Sequence, residues 1–159
     1  MKHSNFFTVG FLLLLMIFSS CASGKKARIR EQKVSAVITT AKSYTGTPYK
    51  YGGTSRAGLD CSALVIKSFN EVNVDLPRSS LDQSKEGKKL KIHQLKSGDL
   101  VFFATTKKRR LVSHVGIVTQ VSKDQIKFIH ASTTAGVVES DLKKEYYAKR
   151  FRFGRRIID

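Results

Sequence analysis

Cys61 is the residue best placed in this sequence to act as a nucleophile. It follows Asp60 directly and opens the run Cys61-Ser62-Ala63-Leu64-Val65-Ile66-Lys67-Ser68-Phe69, in which Leu64, Val65 and Phe69 fall at helical spacing. An aspartate there caps a helix by accepting from its unpaired first-turn amides, which puts the sulfur at the positive end of the helix dipole. That field favours thiolate over thiol, so alkylation is expected well below the free-thiol pKa of about 8.5. Without partners, the same residue reads equally well as a small apolar side chain at the start of a buried helix. A thiol nucleophile needs a base, and the base needs a third group to orient it. His114, in Ser113-His114-Val115-Gly116-Ile117-Val118, and His130, in Phe128-Ile129-His130-Ala131-Ser132, each put an imidazole on an otherwise apolar strand. On adjacent antiparallel strands two such residues can lie side by side. Cys61, His114 and His130 could in principle hold zinc, but no CxxC or HExxH spacing accompanies them and no metal is assigned.

Two cysteines occur in the chain, Cys21 and Cys61. Lys2 and His3 precede an apolar run from Phe6 to Phe18 that closes with Ser19, Ser20 and Cys21, the layout of a secretory signal peptide over residues 1–20. The run is shorter than the roughly 20 apolar residues of a membrane span. Small residues directly before a cysteine resemble a bacterial lipobox, with Cys21 as the lipid-modified first residue of the mature protein. Phe18 stands where that motif usually has leucine, and the alternative is an ordinary leader ending at Cys21. A thioether on Cys21 leaves Cys61 with no disulfide partner, and an exported protein keeps a lone thiol only buried or in use.

The elements that must position these residues follow in order. Ala22 to Arg30 is small and basic without apolar periodicity, which suits a tether over residues 21–30 beside a bilayer. Val34, Val37, Ile38, Ala41 and Tyr44 give a first amphipathic helix, and a glycine-punctuated loop from Thr47 to Leu59 carries Tyr49 and Tyr51 toward Cys61. These tyrosines either line a pocket or pack the loop down. A short helix is expected over Arg78 to Lys85. Strands follow at Leu100 to Phe103, Val112 to Val121, Gln125 to Ala131 and Gly136 to Glu139, then a helical segment from Asp141 to Arg150 and a strand from Phe151. Helices first and consecutive strands after them predict an α+β fold with an antiparallel sheet in a single domain, residues 31–159. With 29 Lys and Arg against 12 Asp and Glu, the net charge is +17. Export excludes nucleic acid as the partner for this excess and leaves anionic headgroups and carboxylate-rich wall polymer, or simple solvation.

Six stretches in order resemble the motifs of the NlpC/p-sixty cell-wall cysteine peptidases. They are Thr47-Pro48-Tyr49-Lys50-Tyr51-Gly52-Gly53-Thr54, Asp60-Cys61-Ser62-Ala63-Leu64-Val65, Leu76-Pro77-Arg78, Ser97-Gly98-Asp99-Leu100-Val101-Phe102-Phe103, Ser113-His114-Val115-Gly116-Ile117 and Ile129-His130-Ala131-Ser132. The resemblance implies a papain-like fold, Cys61 as nucleophile, His114 as base, His130 as the residue orienting it, Tyr49 beside the thiol, and Asp60, Ser62 and Arg78 near the substrate. It implies no cofactor, and hydrolysis of an amide in peptidoglycan stem peptides, at the D-glutamyl–diaminopimelate bond or the D-alanyl–diaminopimelate cross-link. Ala63 departs from the family's usual glycine. Two other functions fit the same residues: a Cys-His amidase or acyltransferase acting on another envelope amide, and a non-catalytic wall-binding lipoprotein.

Overall fold

Val34, Val37 and Ala41 are buried at successive turns of one helical face, with Ile38 and Tyr44 packed beside them, as their three- and four-residue spacing predicts. They lie in α1, Ser4–Ser43. The computed structural model of the chain describes residues 4–106 and 111–159, with side chains from Gly24 onward. The leader expected over residues 1–20 and the lipidation expected at Cys21 fall outside the residues whose side chains are described. The segment read as a non-periodic tether is helical within α1, since its Lys, Arg and Ala are strong helix formers even where no apolar face recruits them. Among the described residues no helix is long and apolar enough to cross a membrane. The chain divides into two units, Met1–Gln32 and Lys33–Asp159, and the second holds the sheet and every expected cleft residue.

After α1 a two-residue pair, β1 (Thr54–Ser55) and β2 (Gly58–Leu59), shapes the loop that leads into α2 (Cys61–Asn70). A short α3 (Ser80–Gln83) and β3 (Lys88–Leu90) precede β4 (Leu100–Phe103), β5 (His114–Val121), β6 (Ile126–Ser132) and β7 (Gly136–Asp141). The chain closes with α4 (Glu145–Ala148) and β8 (Phe151–Arg156). Six strands form one antiparallel sheet in the order β3-β8-β4-β5-β6-β7, the α+β architecture expected. Leu100 and Phe102 point to a core shared with α2 and the C-terminal turns of α1, while Val101 and Phe103 point to a second core with Phe128 and Leu142. All four are buried because each face of β4 is covered.

The helix expected from Asp141 shrinks to the four residues of α4. Asp141 pairs with Lys127 across β6 and β7, and the Leu142 amide donates to the Ile126 carbonyl at 2.8 Å, so the sheet takes the backbone that a longer helix would need. β1, β2 and β3 are too short for any periodicity to show. The Ser97-Gly98-Asp99 turn before β4 needs its glycine twice over. Gly98 has φ +86, and a Cβ there would sit 2.7 Å from a Val34 methyl of α1. Asp99 accepts from Arg156 of β8 at 2.8 and 2.7 Å, which locks this turn to the last strand.

Candidate active site

α2 begins where the sequence places it, and Asp60 is its N-cap. The backbone there is extended (φ −93, ψ 171), and Asp60 Oδ1 accepts the Ala63 amide at 2.8 Å. The same carboxylate also accepts Ser62 Oγ at 3.0 Å and the Gly52 amide at 3.1 Å, and takes Arg78 in a fork, Nη1 at 3.0 Å and Nη2 at 2.6 Å. Arg78 Nη1 donates to Ser62 Oγ as well, at 2.8 Å. Burial alone would raise the Asp60 carboxyl, but the hydrogen bonds from Arg78, Ala63 and Ser62 outweigh it and hold the carboxyl below its ordinary range. Gln83, wholly buried, donates to the Ser62 carbonyl at 3.1 Å and the Pro77 carbonyl at 2.9 Å, which fixes the segment carrying Arg78 against the first turn of α2.

Tyr49, Asp60, Cys61, Ser62 and Arg78, all expected near the substrate, line one cleft of about 600 Å³ together with Tyr51, Ser80, Thr106 and Ser113. Tyr51 is 90% exposed, so it forms the rim and does not pack its loop down. Tyr49 is held beside Cys61 by a bridge to Leu59 and by the Leu59 amide donating to the Pro48 carbonyl at 3.0 Å. Its phenol is pushed upward by burial first and by the neighbouring Cys61 and Asp60 next.

Ser113 lines the cleft, His114 follows it as the first residue of β5, and His130 lies on β6. Ile117 pairs with Ile129, so the two histidines share a face of the sheet on neighbouring strands. His114 Nε2 lies 2.8 Å from His130 Nδ1, with the two rings perpendicular. The only nitrogen His114 has left for a proton from the thiol is Nδ1. Gly116 permits the approach, because a Cβ on it would sit 2.6 Å from the Phe128 ring and 3.3 Å from His130 Cβ. Val115, which follows His114 on β5, hydrogen-bonds the Cys61 sulfur through its backbone.

The expected resting thiolate is not supported. Cys61 is a free thiol, 8% exposed, and burial pushes its pKa up to about 11; the Val115 and first-turn backbone bonds pull it down, but the Asp60 carboxylate opposes them. A capped helix start offers the sulfur a negative charge as well as a dipole, and here enclosure decides the sign. Burial likewise lowers His114 to about 4 although the ring keeps part of its surface open, and His130 moves the same way through burial and then its neighbour. The resting pair is therefore thiol and neutral imidazole.

Two residues of this assembly escape sequence reasoning. Ser140 Oγ of β7 lies 3.0 Å from His130 Nε2, and the Tyr147 hydroxyl of α4 lies 3.2 Å from both. Only the β6–β7 register could have located Ser140. Tyr147 sits in a four-residue helix that carries no pattern of its own.

The sequence pattern of the NlpC/P60 family matches residues 46–156, which contain the whole cleft and both histidines. The chain belongs to the NlpC/P60 family. It is similar to a probable endopeptidase NlpC homolog of Haemophilus influenzae, 36% identical over 143 residues that make up 89% of this chain and 72% of that protein. It is also similar to the murein DD-endopeptidase MepS/murein LD-carboxypeptidase of Escherichia coli, 35% identical over 78% of this chain and 63% of that protein. Among solved structures, an NlpC/P60 family protein from Bacillus cereus superposes with a TM-score of 0.71 at 28% identity, over 79% of this chain and 40% of that one. The chain thus spans about two-fifths of that solved protein. The NlpC/P60 fold accounts for the antiparallel sheet with the cysteine helix on one face.

Proposed function

We propose that this chain is a peptidoglycan endopeptidase that hydrolyses an amide bond in stem peptides with Cys61 as nucleophile, His114 as base and His130 orienting His114. The observation that carries it is the convergence of Cys61, Tyr49, Asp60, Ser62 and Arg78 on one cleft backed by a hydrogen-bonded histidine pair. Its relatives' names, endopeptidase and murein endopeptidase, supply the substrate class.

From the neutral resting pair, the Cys61 proton passes to His114 Nδ1 as the sulfur attacks the scissile carbonyl. Collapse of the tetrahedral adduct breaks the C–N bond, and His114 returns the proton to the departing amine. Water, losing a proton to His114, then cleaves the thioester and frees the acid and the thiol. Asp60, Ser62 and Arg78 form the polar wall against which a stem peptide would lie, and Tyr49 stands beside the sulfur. The setting we infer is the bacterial cell envelope, with residues 1–20 as signal peptide, Cys21 as the lipid anchor and residues 31–159 as the catalytic domain. The lipobox-like Ser19-Ser20-Cys21 supports the anchor.

Incubation of the purified chain with isolated peptidoglycan, followed by mass analysis, tests both reaction and bond. Cleavage at D-glutamyl–diaminopimelate leaves dipeptide stems, whereas cross-link cleavage converts dimers to monomers. Unchanged sacculi and muropeptides would overturn the proposal. Cys21→Ser should release the protein from the membrane fraction without altering turnover, and a wild type that carries no lipid would remove the anchor.

A further inference from the structure

The two hydroxyls behind His130 have a direction. Ser140 Oγ donates to the Tyr147 hydroxyl at 3.2 Å and so spends its single hydrogen there. At its 3.0 Å contact with His130 Nε2, Ser140 can then only accept. With its Nε2–H directed at the two hydroxyl oxygens, Ser140 at 3.0 Å and Tyr147 at 3.2 Å, His130 presents a lone pair on Nδ1, which receives Nε2–H of His114 at 2.8 Å. His114 is thereby left with a bare Nδ1. In the opposite arrangement Nδ1 of His114 would bear a hydrogen and could not accept one from a thiol.

We propose that Tyr147 and Ser140 are positioning residues which, by accepting in sequence, set the proton direction along His130 and His114 and keep His114 Nδ1 free to take the Cys61 proton. This rests on the proposed function for its consequence, though not for its geometry. The surroundings suit the role. Tyr147 packs edge-on against Phe103, Phe128 and His130, with ring centroids 5.8, 4.9 and 5.5 Å away, so its hydroxyl is aimed by the aromatic cluster. Phe128 stacks on His130 at 4.8 Å and closes the opposite side. His130 is 2% exposed, so water is a poor substitute for either hydroxyl.

Tyr147→Phe keeps the ring and removes only the hydroxyl, and with it the acceptor of the Ser140 hydrogen. Ser140 then has a hydrogen to offer His130, and the reversed tautomers become populated. The expected result is a kcat about tenfold lower with KM unchanged, together with mixed tautomers of both histidines in nitrogen-15 spectra of the full chain. Ser140→Ala should behave alike, while Ser140→Thr, which keeps the hydroxyl on a strand that tolerates β-branching, should restore both readouts. A wild-type spectrum with the hydrogen on His130 Nδ1, or a Tyr147→Phe variant with unchanged tautomers and kcat, would overturn the proposal. Tautomers are read without substrate. If the wild type leaves muropeptides uncut, the endopeptidase reading fails while the spectrum still decides this one.

Discussion

The two ends of the catalytic cleft are built from opposite materials. At the Cys61 end five donors converge on the Asp60 carboxylate, two of them from a guanidinium, and the side chains are polar or charged. At the histidine end the rings of Phe103, Phe128 and Tyr147 surround two neutral imidazoles, and the hydrogen bonds run between uncharged groups. Charge fixes geometry at the first end, because Asp60 joins the α2 start, the glycine loop and the Arg78 segment in one network. Low polarity fixes the protonation state at the second. Burial at this end lowers both imidazoles and favours their neutral form.

Substitutions at each end should therefore fail differently. Cys61→Ser should lower muropeptide turnover by about a thousandfold or more with unchanged circular dichroism and Tm, because the hydroxyl matches the thiol in size but ionises far less readily. Turnover near wild type would remove the sulfur from the chemistry. Asp60→Ala should instead cost stability, about 2 kcal/mol in denaturant titration, by deleting the cap and leaving Arg78 and the Ala63 amide without their acceptor. Asp60→Asn, which can still cap, should lose less. An Asp60→Asn variant as stable as the wild type would mean that charge is not what organises this end.

The histidine end is sharpened by pH. His114 ionises near 6.5 in an unfolded chain and near 4 here, so between those values the unfolded chain binds more protons. Stability is complete above about 6.5 and is lost as the pH falls through about 4, and a Tm flat across that window would contradict the enclosure. The thiol moves oppositely. Its folded pKa lies above the ordinary 9.0, so its contribution holds below that value and is lost as the pH rises through about 11; alkylation of resting Cys61 should climb only in the same range. Rapid alkylation at pH 7 would restore the resting thiolate expected from the helix dipole.

Much of this site was legible in the order of residues because its parts lie in local signals. Asp60 before an apolar helical run marks a cap, and the apolar runs around His114 and His130 mark two buried strands that each carry one imidazole. The sign of the Cys61 shift was not legible, because it depends on how completely β5 covers the first turn of α2. Ser140 and Tyr147 were hidden for a related reason. Their roles come from the β6–β7 register and from a chain reversal through α4, both set by tertiary packing and not by the period of either segment.

Strand β8, the last in the chain, lies inside the sheet between β3 and β4 and ties down the turn at Asp99 through Arg156. Synthesis runs from the N-terminus, so β3 and β4 are made well before the strand that joins them, and neither the sheet nor its second core can close until residue 156 is available. A growing chain is thus kept from a finished cleft by its own topology. Folding must also wait on contacts of long sequence separation, which makes it slow and extends the period in which an unpaired β4 is open to aggregation or proteolysis.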